Sequence, residues 1–94
     1  MTNLNLSGIP EYMHGGVVRY VENGITPGSF LTAIFANDFM EACRRADDIN
    51  SSCLFGYGRL LHSAPIGCHG SPEAVRDWIA HGGLHGLEQK AEAS

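Results

Sequence analysis

A chain of 94 residues has room for one domain, and at this size it buries roughly 60 to 65% of the surface its unfolded form exposes, enough for a modest core. Hydrophobic residues at 44% and charged residues at 17% make a globular composition, too apolar for intrinsic disorder. A formal net charge of −4, with 6 Lys and Arg against 10 Asp and Glu, disfavours a phosphate-binding surface, which draws its affinity from clustered cations.

The opening MTNLNLSG has neither a basic region nor an apolar run, so it reads as a flexible N-terminus over residues 1–8 and not as a secretory signal. A helical domain over 9–83 follows. In IPEYMHGGVVRYVENG the apolar residues Ile9, Met13, Val17, Tyr20 and Val21 recur at helical spacing, with Pro10 in the first turn and Gly24 as the C-terminal cap. Gly15 and Gly16 together cost this helix roughly 2 kcal/mol relative to alanine. They mark close approach by a neighbour in preference to a functional loop.

ITPGSF reads as a turn in which Pro27 fixes φ and Gly28 takes the positive φ of the next position. Leu31, Phe35, Phe39, Ala42 and Ala46 then form a stripe in helical steps. Asn37 and Asp38 are poor helix-interior residues and good caps, so the segment reads either as one helix or as two broken there. Asp47 or Asp48 caps the next helix, along which Cys53, Tyr57, Leu60, Leu61 and Ala64 keep the spacing. LFGYG also suits a strand or loop; periodicity and length favour helix. After the APIGCHGS loop, Ser71, Pro72 and Glu73 form a start signal for a last helix whose Val75, Trp78 and Ile79 face inward and which Gly82 and Gly83 end. Residues 84–94 read as a frayed C-terminal tail. The expected fold is all-α, a compact single domain of four or five short helices around Leu31, Phe35, Phe39, Tyr57, Leu61, Val75, Trp78 and Ile79. Val18, Phe55 and Ile66 are spare apolar residues that a homodimer would bury.

No uncharged run reaches the ~20 residues of a membrane-spanning helix, since the longest, 23–37, is interrupted by Pro27 and Gly28. Three cysteines without a secretory signal point to reduced thiols in the cytoplasm. Cys68, His81 and His85 stand at C-x12-H-x3-H, three quarters of a two-cysteine, two-histidine zinc site. The match reads as accidental. Gly82 and Gly83 end the helix between the histidines, and Cys53 lies too far before Cys68 to complete a finger hairpin. Cys68 and His69 resemble a nucleophile beside its base, but adjacent side chains rarely face each other. Cys68, His69, His81 and His85 are therefore the candidate residues if a site exists; no catalytic role, metal or cofactor is expected. A helix-turn-helix would pair 37–46 with the helix after Asp48, but that second helix offers only Arg59 and His62 to DNA.

At GITPGSFLTAIFANDFMEACRRADDIN and SAPIGCHGSPEAVRDWIAHGG the chain resembles a family of small uncharacterised proteins carried by bacteriophages, prophages and other mobile elements. The resemblance rests on Pro27-Gly28 before Phe30-Leu31, on Asn37-Asp38, Ala46-Asp47 and Asn50, and on Gly70-Ser71-Pro72-Glu73 followed by Trp78. An aromatic residue often stands in that family where this chain has His69. The resemblance covers residues 9–83 and implies a cytoplasmic accessory protein, with no known activity and no catalytic residues to carry over. The expected function is non-enzymatic protein–protein interaction with a host or phage protein. The alternative is a dimeric nucleic-acid-associated regulator.

Overall fold

The computed structural model describes residues 4–93, and their side chains as far as Glu88. Seven helices and no strand lie among them: α1 (Glu11–Asn23), α2 (Ser29–Phe35), α3 (Phe39–Arg45), α4 (Asp48–Ser51), α5 (Leu54–Ser63), α6 (Pro72–His81) and α7 (Gly83–Ala93). The class is all-α as expected. The 29–45 segment divides at Asn37-Asp38, one of the two readings of its sequence, and the count exceeds five for two further reasons: α4 is a separate single turn, and the tail is helical.

The division falls at Asn37. Its φ of 62° ends α2 in a left-handed cap, in which the Asn37 amide donates to Ile34 O and the Asp38 amide to Ala33 O. Asp38 then starts α3, its Oδ1 accepting from the Glu41 amide at 3.2 Å. Because α3 takes a new axis, the stripe does not continue through it: Ala42 stays buried, while Phe39 turns outward and is 66% exposed. Phe39 is thus not a core residue.

Four other expectations are corrected. Gly28 has a φ of −64° and is the extended N-cap of α2, so no turn with positive φ forms there. Pro10 is likewise the extended N-cap of α1, one position before the helix. Asp47, not Asp48, is a cap, but of the single turn α4, through a 2.7 Å bond from the Asn50 amide; the long helix starts seven residues after Asp47, at Leu54. This interposed turn also breaks the tight spacing a helix-turn-helix needs. The 1–8 and 84–94 segments are the fourth. Residues 1–3 and Ser94 lie outside the described residues, but Leu4 and Leu6 pack on the core, the Asn5 amide donates to Ser63 Oγ at 2.9 Å, and Gly8 lies so close to Gly56 of α5 that a Cβ on Gly56 would overlap the Gly8 carbonyl. The tail from Gly83 to Ala93 is α7, a run of good helix formers after Gly86 that packs along α1.

Helix contacts run α1–α7–α6–α2–α3. The α1–α7 approach needs glycine: a Cβ on Gly83 would stand 2.5 Å from the Gly24 amide nitrogen. Gly16 also faces a neighbour, since a Cβ there would stand 3.3 Å from Leu31 Cδ1, but the exposed Gly15 would meet only the Arg19 side chain of its own helix and marks no close approach. The core centres on Trp78, Tyr20, Tyr57, Phe35 and Leu60, all fully buried. Trp78 Nε1 donates to both Tyr20 O (3.0 Å) and Val21 O (3.1 Å) near the end of α1. Tyr20 stacks tilted on Phe35 with centroids 4.4 Å apart, and Phe30 meets Tyr57 edge-on at 5.0 Å. These contacts join α1, α2, α5 and α6. Leu61 and Ile79 are only partly buried. LFGYG is the first half of α5, with Gly56 and Tyr57 buried.

Candidate functional site

Cys68 is fully buried, and its carbonyl accepts the Tyr20 hydroxyl at 2.6 Å. Burial pushes its thiol up to about 12, so it is protonated at neutral pH and is no thiolate nucleophile. His69 beside it is half-buried and makes no hydrogen bond to the thiol among the described residues. The loop is held instead by its backbone, with the Gly70 amide donating to Phe35 O at 2.8 Å.

His81 is the last residue of α6. Its ring meets Trp78 edge-on with centroids 4.9 Å apart, and its Nδ1 is buried without a hydrogen-bond partner. Gly82 (φ 86°) and Gly83 (φ 69°) then redirect the chain, so His85 stands exposed on α7 and does not share a helical turn with His81. Among the described residues no three His, Cys, Asp or Glu side chains are grouped to hold a metal ion. The four candidate residues are therefore not assembled into one site.

A separate polar cluster serves the fold. Asn50, buried, accepts the Tyr57 hydroxyl at 2.7 Å while its amide donates to Asp47 Oδ1. The Tyr12 hydroxyl donates to Asp47 Oδ2 at 2.6 Å, tying α1 to α4. That bond raises Tyr12 to about 12 and is the main cause holding Asp47 below its ordinary value.

The feature with no internal purpose is an apolar groove between α3 and α5. A cavity of about 130 Å³ is lined by Ile34, Phe39, Ala42, Leu54, Gly58 and Leu61, among others. A wider cleft shares Phe39, Leu54 and Gly58 and continues past Phe55 to Arg59 and His62. Phe55 is 79% exposed and Phe39 66% exposed, on opposite walls. The Arg59 guanidinium lies over the Phe55 ring, 4.9 Å from its centroid. On the other wall Asp38 lines the cavity at the start of α3. Behind it, Arg44 Nη1 and Arg45 Nε bind Glu41 at 3.1 and 2.7 Å, and the Arg45 bond is the main cause that lowers the Glu41 pKa. The Phe55 exposure was legible as a spare apolar residue. Phe39 was not, because the stripe absorbed it; the Asn37-Asp38 break was the signal that separates it from the core. No helix among the described residues is long and apolar enough to cross a membrane. No protein-family model, curated protein or solved structure matches this chain.

Proposed function

We propose that this chain is a small accessory protein of a phage or mobile element that acts in the cytoplasm, without catalysis, by docking on another protein through the α3–α5 groove. The observation that carries the reading is the pair of exposed phenylalanines, Phe39 and Phe55, flanking one apolar groove. Exposed aromatic anchors beside a preformed cleft are what a protein partner buries, whereas a monomer gains nothing from holding them in water. The mobile-element setting rests on the resemblance of the motif residues. Those residues are fold determinants, in keeping with a family that shares a scaffold and no chemistry: Asn37 ends α2, Asp38, Asp47 and Ser71 cap helices, and Asn50 and Trp78 are buried.

The nucleic-acid alternative has less support. Arg44 and Arg45 share Glu41, and Arg76 lies 3.8 Å from Glu73, so three of the cations already stand beside carboxylates. Affinity capture from the native host, with wild type beside a Phe39→Ser/Phe55→Ser variant, tests the docking reading. A stoichiometric protein partner lost with the variant is the expected result. A partner retained by the variant, or DNA recovered in place of protein, overturns it.

A further inference from the structure

We infer that in the free protein the occupant of the α3–α5 groove is a second copy of this chain, related by a two-fold axis that runs parallel to the groove at its mouth. The inference rests on the reading of this face as a docking surface and names what covers it. Its first support is charge. Asp38 stands on the α3 wall and Arg59 on the α5 wall, and among the described residues neither enters an ion pair. Such an axis exchanges the walls, so the α3 wall of one copy, with Asp38 and Phe39, meets the α5 wall that carries Phe55 of the partner subunit and Arg59 of the partner subunit. A ligand carrying one sign of charge would satisfy one wall and leave the other unmatched; a second copy satisfies both, twice.

The second support is Gly58. It lies in the interior of α5, where glycine destabilises a helix relative to alanine, yet a Cβ there would meet nothing within 4 Å. The packing of the subunit does not demand glycine at this position. Gly58 lines both the cavity and the cleft, so the missing side chain leaves the groove floor open for the opposing Phe39 wall. Gly56, two residues earlier, is required internally by Gly8, and the two glycines of LFGYG therefore have different causes. A heterologous partner competes with the second copy for the same face.

Sedimentation equilibrium of wild type, Arg59→Glu, Asp38→Lys and an equimolar mixture of the two variants tests the assignment. Wild type is expected as a concentration-dependent dimer. Each reversal sets like charges across both rims and weakens self-association at least about tenfold, and the mixture restores a dimer because both cross-pairs become attractive again. Asp38→Lys also removes the α3 cap, so Gly58→Gln supplies an independent arm: it adds a good helix former in open space, raises the Tm of the subunit, and still weakens self-association at least about tenfold. A wild type that stays monomeric as it is concentrated overturns the inference, as does a dimer unmoved by the charge reversals and by Gly58→Gln. A monomeric wild type whose captured partner still depends on Phe39 and Phe55 leaves the docking reading standing, whereas a two-fold dimer with groove-independent capture removes that reading and keeps the dimer.

Discussion

Tyr12, Tyr20 and Tyr57 all hold their hydroxyl protons above the ordinary value of 10.0, for different reasons. Tyr20 and Tyr57 are raised first by burial; Tyr12 is raised first by its bond to Asp47. A raised folded-state value means the Tyr12 hydrogen bond contributes fully below pH 10.0 and is lost as pH climbs through about 12. Asp47 has the opposite sign: its value is lowered from 3.8, so its contribution is present above that pH and is lost as pH falls through the depressed value. The α1–α4 tie is therefore intact from about pH 4 to 10. A spectrophotometric titration is expected to show no tyrosinate near pH 10.0 in the folded protein, with Tyr12 ionising as pH climbs through about 12 and the buried Tyr20 and Tyr57 only as the helical circular dichroism signal is lost. A tyrosine ionising at pH 10.0 with the fold intact contradicts this. The tie was not legible in the sequence, because Tyr12 and Asp47 are 35 positions apart and only the tertiary fold brings them together. The converse holds for Cys68, His81 and His85: close in sequence, they are distributed over a buried loop, a helix end and an exposed face.

Helix starts and stops were the most legible features of the elements, since a cap is a local event between residues a few positions apart. Ser71 Oγ accepts the Ala74 amide at 3.1 Å with Pro72 in the first turn, as the sequence indicates. Ser71→Ala is expected to cost about 1 kcal/mol in chemical denaturation, with Ser71→Asp restoring most of it. An unchanged midpoint in Ser71→Ala would show that the cap is replaced by other groups. Gly24 was read correctly for the same reason, as a left-handed cap with φ 68°. Less legible was anything depending on a neighbour. The helical state of 83–93 follows from Gly83 meeting Gly24 and from α1 lying alongside, and a polar sequence read alone gives no sign of that surface. The Phe39 error has the same origin: periodicity assumes one axis, and the left-handed Asn37 supplies two.

At the scale of the molecule, the buried residues form one core and leave large apolar side chains exposed, Phe39 and Phe55 at the α3–α5 groove among them. Ile66, 98% exposed, lies in the loop between α5 and α6 and lines none of the α3–α5 cavities described above. The groove stands apart because it combines aromatic walls, opposite charges on its rims and a helix glycine that the subunit does not use. All-α class and a single core were readable from helical spacing and composition. The groove was not, since it is an arrangement of two helices around a break. The measurement that tests the account most directly is an amide chemical-shift map by NMR, recorded as the protein is concentrated and again as its captured partner is added. Changes centred on Asp38, Phe39, Leu54, Phe55, Gly58 and Arg59 are expected. Changes centred on Cys68, His69, His81 and His85, with the α3–α5 groove silent, would contradict it.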